Sequence, residues 1–387
     1  MRHFDFLSDS DRNRLFLQAP RPFGPDDDTT LLAVALGATL YIPATRPDLA
    51  ANIRRRADQG VTSIVICLED AIADDEVAEA ERNVVTQLRS FGDAAAAKRP
   101  LIFLRVRTPE QIPAILTGLR EHAHIVAGFV LPKFSVETGP AFFDAVVEAD
   151  AQHVSRLFAM PVLESPDVIF SESRVDVLLG LRRLLGKYRE NVLAIRIGAT
   201  DLSAVFGLRR SRELTVYDLG VIADAISDMV NVFARLDGTG FVVTGPVWEY
   251  FSGAERMFKP QLRDSPFAGL SEQALRTELI TKDLDGLIRE VALDKANGLT
   301  GKTVIHPTHV AAVHALSVVT HEEYCDAADI LGMRSRGGVR ASVYRNKMNE
   351  SKPHSAWATR VTQRAHVFGV ANEGISFVEL LAAGLHR

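Results

Sequence analysis

The sequence predicts an α/β protein, a (β/α)8 TIM barrel with an N-terminal arm and a basic C-terminal extension. Eight short apolar runs recur along the chain, which is typical of parallel strands that are covered on both faces. Segments with the hydrophobic period of a helix separate these runs. The whole alternation, from Thr39 to His306, has the usual length of a closed barrel.

The predicted elements follow the apolar periodicity and the turn residues. The strands are 39–42, 61–68, 101–106, 125–131, 157–163, 192–198, 240–244 and 303–305. The helices between them are 47–59, 76–90, 109–120, 139–151, 167–188, 218–236 and 272–297, and two more are expected at 359–368 and 375–385.

A doubly wound open sheet is the competing fold. Neither GxGxxG nor GxxxxGK follows the first strand, which argues against a nucleotide-binding Rossmann fold and favours the barrel. The expected organisation is an irregular arm over residues 1–37, a barrel over 38–330 and an extension over 331–387.

Composition narrows the functional class. The chain has 387 residues, of which 47% are hydrophobic and 24% are charged, as in ordinary globular proteins. A net charge of −5 gives no argument for a nucleic-acid or membrane partner. We find no signal peptide and no membrane-length apolar run, and Cys67 and Cys325 form no disulfide framework. We therefore expect a cytoplasmic protein with a small-molecule substrate.

The extension has a charge of its own. Residues 331–387 contain nine Arg or Lys and three Glu, a surplus of six positive charges. Its middle, RSRGGVRASVYRNKMNESKPHS, is expected to be a loop. Two readings stay open: a segment that packs subunits or caps the barrel, and an arm that reaches an anionic ligand over the barrel mouth.

Ionisable side chains stand at or just after seven of the eight predicted strands. Because the carboxyl ends of barrel strands face one mouth, these groups must pair with each other or hold a ligand. The alternative for each is a loop residue or a cap, since polarity returns wherever a strand ends. The residues are Arg46, Glu69, Asp70, Arg105, Arg107, Lys133, Glu164, Asp201 and His306.

Glu164 and Asp201 are the sharpest candidates for a metal site. They follow neighbouring strands, which lie roughly 4.8 Å apart. Two carboxylates at that separation suit one hard divalent ion, Mg²⁺ or alternatively Mn²⁺. The competing reading is two separate caps, with Asp201 capping a short helix.

Three further residues have candidate roles. Arg105 interrupts an apolar strand and could bind a carboxylate or an enolate oxygen, or alternatively form an ion pair at the bottom of the barrel. Lys133 is either a Schiff-base lysine or a residue that bridges water or supports the structure. His306 either positions a substrate or orders its loop. No HExxH or GxSxG motif is present, which leaves metalloprotease and serine-hydrolase chemistry unsupported.

Taken together, these motifs resemble the HpcH/HpaI aldolase/citrate lyase family, particularly its citrate lyase β-subunit-like branch. The tail and residues 248–269 also resemble a divergent branch of carbon–carbon bond lyases found near tellurium-resistance and stress genes. The matching pieces, in family order, are LYIPATRPD (40–48), ICLEDAIADDE (66–76), LRVR (104–107), VLPK (130–133), PVLES (161–165), GATDLSAVFG (198–207) and GLTGKTVIHPTHV (298–310).

The resemblance implies a catalytic site in which Glu164 and Asp201 hold Mg²⁺ and Arg105 binds the substrate carboxylate and enolate. It implies that Glu69 and Asp70 order metal waters, and that the chain forms a trimer or hexamer. Two departures, Cys67 where the family commonly has Asp and Arg107 where it commonly has Asn, put an acyl-CoA substrate in doubt and favour a more anionic, even phosphorylated, one.

The expected activity is therefore a Mg²⁺-dependent carbon–carbon lyase acting on a small anionic oxo- or hydroxy-acid. Arg46, Arg107, Lys133 and His306 are expected to bind substrate beside Arg105. The proton acceptor is left open between Glu69, Asp70 and a metal-ordered water. The alternatives are a thioester hydrolase on the same site, and a non-catalytic barrel that binds a partner through its basic tail.

Overall fold

The computed structural model describes residues 1–92, 99–152, 155–251, 284–333 and 337–385. Eight parallel strands, β2 to β9, pair in chain order and close into a barrel, as the sequence predicts. The strands are β1 Phe16–Gln18, β2 Ala38–Pro43, β3 Ser63–Cys67, β4 Leu101–Arg105, β5 Val126–Leu131, β6 Phe158–Leu163, β7 Ile195–Ile197, β8 Val243–Trp248, β9 Lys302–Val304, β10 Val339–Ala341, β11 Met348–Glu350 and β12 Val370–Ala371.

Helices cover the outside of the barrel. Predicted helix 272–297 lies partly outside the described residues, and predicted helix 167–188 begins only at Arg174, after a short 3₁₀ turn over 166–168. Among the described residues, no helix is both long and apolar enough to cross a lipid bilayer. The helices are α1 Asp9–Leu15, α2 Thr29–Ala35, α3 Leu49–Asp58, α4 Val77–Phe91, α5 Gln111–Leu119, α6 Gly139–Gln152, α7 Arg174–Lys187, α8 Ala199–Ala204, α9 Gly220–Phe233, α10 Leu284–Ala296, α11 Thr308–Ser317, α12 His321–Gly332, α13 Ser355–Phe368 and α14 Phe377–Leu385.

Strand register brings the functional side chains to one level. Pro43 pairs with Cys67, and Cys67 pairs with Arg105 on the next strand. The ends of β2, β3 and β4 therefore lie side by side at the mouth. This in-register arrangement is why residues far apart in the chain can meet there.

The prediction of an irregular arm over residues 1–37 was wrong. The arm contains α1 and α2, and its strand β1 pairs antiparallel with β12 from the extension. The missed signals are helix caps: the Ser8 side chain accepts from the backbone N–H of Asp11, and Asp28 accepts from those of Thr30 and Leu31. Apolar residues from both chain ends join the main core.

The extension is also more ordered than predicted. A hairpin of β10 and β11 occupies part of the expected loop, and α13 begins at Ser355, four residues earlier than predicted. Its cations pair with acids on α12: Lys347 lies 2.8 Å from Asp326, and Arg364 lies 2.7 Å from Glu323. The isolated charge surplus of the tail is thus partly neutralised within the chain.

The extension lies at the end of the barrel away from the mouth. The guanidinium of Arg360 in α13 donates to the carbonyl of Gly298, 2.8 Å away, in the loop that leads into β9. Because this loop enters the barrel, the contact places α13 at the amino ends of the strands. The described part of the extension therefore contradicts the reading of an arm over the mouth.

Strand β8 begins and ends later than predicted. The sequence indicated 240–244, whereas the strand runs from Val243 to Trp248. Pro246 hid its second half, because proline cannot donate to a sheet ladder and is rare in central strands. The pairing with β9 shifts register between Gly245 and Trp248, which accommodates the proline. The strand consequently ends beside Glu249.

A buried ionic network ties α10 to the barrel. The carboxylate of Glu290 accepts from the Lys302 ammonium at 2.8 Å, from the Arg210 guanidinium and from the backbone N–H of Val216 at 2.7 Å. Asp294 accepts from the same Lys302 ammonium at 2.6 Å. Charges without water must be paired in this way, so each member depends on the others.

Removing Glu290 should therefore destabilise the fold. We expect Glu290→Ala to lower the free energy of unfolding by about 3–5 kcal/mol, because Lys302 and Arg210 lose a buried counter-charge. Urea denaturation followed by circular dichroism measures the change. Glu148→Ala is the matched control, since Glu148 is an exposed helical glutamate on α6. Equal losses in both variants would contradict this role of the network.

Candidate active site

Six charged side chains converge at the carboxyl ends of the barrel strands. The four acids among them, Glu69, Asp70, Glu164 and Asp201, are referred to below as the carboxylate cluster. The two cations, Arg105 and Lys133, contact members of this cluster directly. They come from the ends of β3, β4, β5 and β6 and from α8, which follows β7.

Arg105 stands at the centre of this arrangement. Its Nη2 atom lies 2.7 Å from Glu69 Oε2, 3.1 Å from Asp70 Oδ2 and 2.9 Å from Glu164 Oε1. Burial opposes its charge, but the Glu164 and Glu69 carboxylates outweigh it and raise the pKa of Arg105. The buried Nε has no hydrogen-bond partner, and Nη1 bonds to none of the described residues. One nitrogen atom thus contacts three carboxylates, while Nη1 is left without a partner among the described residues.

Lys133 closes the other side of the cluster. Its ammonium lies 2.5 Å from Glu69 Oε1 and 3.3 Å from Asp70 Oδ1. The hydrogen bond to Glu69 raises the pKa of Lys133, so the amine stays protonated and is a poor Schiff-base nucleophile. Its backbone N–H donates to Glu164 Oε1 at 2.8 Å. Lys133 makes this contact with a backbone φ of 45°, a left-handed conformation that is strained for lysine.

Glu164 and Asp201 form a tightly interacting pair. Burial raises the pKa of Glu164 to about 7 against the opposing charge of Arg105, and the Asp201 carboxylate adds to the rise. Burial and the charge of Asp70 likewise raise the pKa of Asp201, and a hydrogen-bonding interaction with Glu164 opposes the rise. Two carboxylates this close cannot both ionise freely unless a cation joins them.

Gly198 makes room for this pair. A Cβ atom at position 198 would lie 2.2 Å from Glu164 Oε2 and 2.4 Å from Glu164 Cβ, well inside contact distance. Gly198 also donates its N–H to the carbonyl of Leu163, which fixes the chain between β7 and α8. Only glycine therefore lets the Glu164 carboxylate approach the start of α8.

The donor set fits Mg²⁺ better than a soft metal. The described residues include no group of three or more His, Cys, Asp or Glu side chains placed to hold a metal ion. Mg²⁺ keeps several waters and is commonly held by one or two carboxylates, so it does not need such a group. Glu164 and Asp201 provide oxygen ligands, and burial raises the pKa of both carboxyl groups. A bound divalent ion would stabilise their charged forms.

The pKa values of Glu69 and Asp70 shift in opposite directions. Burial and the hydrogen bond with Asp70 raise the pKa of Glu69, despite the opposing charge of Arg105. For Asp70, burial is outweighed by the hydrogen bond with Glu69 and the charges of Arg105 and Lys133, which lower its pKa. Asp70 is therefore the acid that holds its negative charge more firmly.

Three of the predicted site residues lie outside the cluster. Arg46 pairs with Asp48 at 2.7 Å. Arg107 donates to the carbonyls of residues 68, 69 and 72 and pairs with Asp74 at 2.5 Å, so it supports the loop after β3. His306 bonds Thr308 at 2.7 Å and stacks on Phe251. Substrate binding by these three stays a prediction.

Two residues near the site, Glu249 and Arg196, were missed in the sequence analysis. Glu249 at the end of β8 accepts from the hydroxyl of Thr200 at 3.1 Å, and the displaced strand prediction hid it. Arg196 interrupts apolar β7 as Arg105 interrupts β4, a signal that was available. It is fully buried, donates to Thr303 Oγ1 at 2.7 Å and lies over the ring of Tyr41.

Solved structures share this architecture. A citrate lyase from Burkholderia xenovorans LB400 is 16% identical over 91% of this chain and 96% of its own, with a TM-score of 0.60. Haloferax volcanii malate synthase, as its pyruvate/acetyl-CoA ternary complex, is 15% identical over 86% of this chain and 92% of its own, with a TM-score of 0.52. Its magnesium/glyoxylate complex is 16% identical over 71% and 73%, with a TM-score of 0.50.

At these identities the likeness shows the fold alone. Comparison with curated protein sequences gave no significant match. The family model for C–C bond lyases of the TIM-barrel fold matches residues 30–370, which includes the whole barrel and most of the extension. The chain therefore belongs to the TIM-barrel family of carbon–carbon bond lyases, as its motifs predict.

Proposed function

We propose that this lyase uses Mg²⁺ to cleave or form a carbon–carbon bond in a small anionic oxo- or hydroxy-acid. The observation that carries the proposal is the Arg105 guanidinium beside the Glu164–Asp201 pair, with its Nη1 atom unbonded to any described residue. Haloferax volcanii malate synthase, which shares the fold, has been solved with magnesium and glyoxylate, and this supports the choice of metal and substrate size.

Glu164 and Asp201 would hold the ion through their carboxylate oxygens. When bound, Mg²⁺ would supply Lewis-acid stabilisation of negative charge on substrate oxygens. The ion would also remove the repulsion that now raises the pKa of Glu164. Gly198 would leave room for the Glu164 carboxylate, because a side chain at position 198 would clash with it.

Arg105 is proposed to bind the reacting acid. Its Nη2 atom is committed to Glu69, Asp70 and Glu164, which fixes the orientation of the guanidinium plane. Nη1 can then donate to a carboxylate or enolate oxygen. Donors already oriented toward developing charge stabilise the transition state without reorganising, which is the strongest single effect in such sites.

Glu69 and Asp70 are proposed to divide the proton chemistry. The raised pKa of Glu69 makes it the better proton acceptor of the two acids. Asp70, whose pKa is lowered, keeps its charge and holds Lys133 and Arg105 in place. Lys133 in turn bridges both acids, so a proton taken up by Glu69 stays within one hydrogen-bonded group.

The proposed substrate is a carboxylate, and phosphate is not part of the proposal. Arg107 was the extra cation that favoured a phosphorylated compound, but its donors are used by backbone carbonyls and Asp74. The cationic groups at the mouth are Arg105 and Lys133, which already pair with the carboxylate cluster, and the proposed ion. With so few cations, a ligand with one or two carboxylate groups suits the site better than a phosphorylated one.

The metal assignment can be tested by binding alone. We expect Glu164→Gln and Asp201→Asn each to weaken Mg²⁺ binding by tenfold or more in titration calorimetry, because each removes one of two anionic ligands. Asp167→Asn is the matched control, since Asp167 is an exposed carboxylate just after β6. Unchanged affinity in both cluster variants would remove the metal site.

The affinity for Mg²⁺ should depend on pH. Since the pKa of Glu164 is raised to about 7, its proton must leave before the ion binds, and affinity should fall as pH drops below that value. The metal-free protein should lose stability as pH rises from the ordinary value of 4.5 through about 7, since the folded state favours the protonated acid. Calorimetry and thermal melts from pH 5.5 to 8.5 measure both trends.

Glu164→Gln provides the control for this pH dependence. The variant has no carboxyl to titrate at this position, so its melting profile should be flatter over the same range. A Mg²⁺ affinity of the unmodified chain that is level from pH 5.5 to 8.5 would contradict the raised pKa and the ligand role together.

Enolate stabilisation can be measured without knowing the natural substrate. We expect the chain with Mg²⁺ to speed deuterium exchange into the methyl groups of pyruvate or acetyl-CoA, followed by proton NMR. Arg105→Met should slow it by about 10²–10³-fold, the usual loss for one oriented donor. Arg174→Met is the matched control, because Arg174 has the same 11% side-chain exposure and also pairs with an acid, Asp228. Equal loss in both variants would contradict a catalytic Arg105.

A further inference from the structure

We propose that a cavity at the amino end of the barrel binds a small organic polyanion that carries an apolar or aromatic group. The cavity has a volume of about 1040 Å³. Helices α2 and α13 form one side, and the segments that lead into β6, β7, β8 and β9 form the other. It lies at the opposite end of the strands from the carboxylate cluster, so the proposal does not rest on the proposed lyase chemistry.

The cavity wall is strongly basic. Three carboxylates also line it: Asp28, Glu190 and Asp294. A chain that is acidic overall therefore concentrates positive charge in one concave place. Clefts of one sign concentrate ions of the other. The six cationic lining residues are Arg156, Arg189, Arg235, Lys295, Arg360 and Arg364.

The three acids do little to neutralise this charge. Asp28 is occupied as the N-cap of α2, where its side chain accepts from two backbone N–H groups. Asp294 is bound by Lys302 at 2.6 Å and by the hydroxyl of Tyr217 at 2.8 Å. Glu190 is exposed, and its carboxylate comes no closer to Arg156 than 3.9 Å.

Several of the arginines are held by backbone carbonyls instead of carboxylates. Arg360 donates to the carbonyl of Gly298 at 2.8 Å, and Arg189 donates to that of Gly240 at 3.0 Å. Arg235 donates to the carbonyl of Asn231 at 2.8 Å. A neutral carbonyl fixes the direction of a guanidinium but leaves its charge uncompensated. Among the described residues, none of these three guanidinium groups forms a direct ion pair with a carboxylate, and the charge of Asp237 acts on Arg235 only at longer range.

A second group of cations shares one acid. Lys295 lies 2.8 Å and Arg364 lies 2.7 Å from the carboxylate of Glu323. The Nε of Arg364 is buried without a hydrogen-bond partner. Burial and the charge of nearby Arg364 lower the pKa of both Lys295 and Arg360, which shows how closely the three cations approach. An anion placed between them would relieve their repulsion.

Apolar side chains complete the wall and define the ligand class. Trp357 is 39% exposed, unusually open for tryptophan, and Leu236 is also exposed. Phe241 and Phe368 lie on the same surface. Ligand pockets typically have volumes of about 300–1,000 Å³ and combine apolar walls with a few fixed polar groups. This one suits a molecule of nucleotide size with a flat ring and two or more negative charges.

The position of Trp357 allows a direct binding test. The chain has two tryptophans, and the other, Trp248, is only 1% exposed. Fluorescence excited at 295 nm is titrated with inorganic pyrophosphate, an anion alone, and with ADP, an anion that carries an aromatic ring. We expect saturable quenching by ADP, weaker binding of pyrophosphate, and no saturable change in Trp357→Phe.

Charge variants locate the anion. Arg156→Met and Arg360→Met should each weaken ADP binding by tenfold or more. Arg54→Met is the matched control: like Arg156, Arg54 lies over a phenylalanine ring and donates to a backbone carbonyl, but it does not line the cavity. Its affinity should change less than twofold. Far-ultraviolet circular dichroism and Mg²⁺ binding, unchanged in all three variants, confirm that the fold is intact.

Several results would overturn the proposal. Absence of saturable quenching by both probes, or equal weakening in Arg54→Met, would rule out an anion site here. Quenching that persists in Trp357→Phe would place the ligand elsewhere. If iodide fails to quench Trp357 while sedimentation shows an oligomer, this face is a contact between copies of the chain instead of a ligand site.

Discussion

The site depends on one atom, the Nη2 nitrogen of Arg105, which lies within 3.1 Å of three carboxylates on two different loops. Without that shared cation, four acids at the barrel mouth would repel one another and the loops that carry them. Strand β4 supplies the arginine from a buried position, where its charge is least screened. The strand register of the barrel thus brings these loops together, and Arg105 holds their acids close by pairing with them.

The cluster is held under local strain and electrostatic cost. Lys133 adopts a left-handed backbone, and its N–H meets Glu164. Gly198 leaves no room for a side chain beside the same carboxylate. Burial keeps the pKa of Glu164 near 7, so the folded chain resists a second full charge next to Asp201. Strained backbone and repelling charges of this kind are typical of functional sites. A divalent ion would bind more tightly because it removes the repulsion between the two carboxylates.

The sequence alone predicted the barrel, its eight strands and the six residues that meet at the mouth, because apolar runs and strand-end charges are local signals. It failed where the deciding interaction is distant or unusual. Pro246 inside β8 displaced the predicted strand and hid Glu249. The short helices of the arm have local caps at Ser8 and Asp28, but their packing against the extension is not visible in the order of residues. The shared contacts of Arg105 and the close approach at Gly198 required coordinates, since neither follows from the order of residues.

The barrel presents opposite electrostatics at its two ends, an acidic mouth and a basic cavity between α2 and α13. The proposed metal and substrate site at the mouth is tested most directly by a crystal structure of the chain with Mg²⁺ and oxalate, a planar mimic of an enolate. We expect one ion bound by the carboxylates of Glu164 and Asp201, with Nη1 of Arg105 donating to oxalate. An ion bound elsewhere, or oxalate without contact to Arg105, would contradict it.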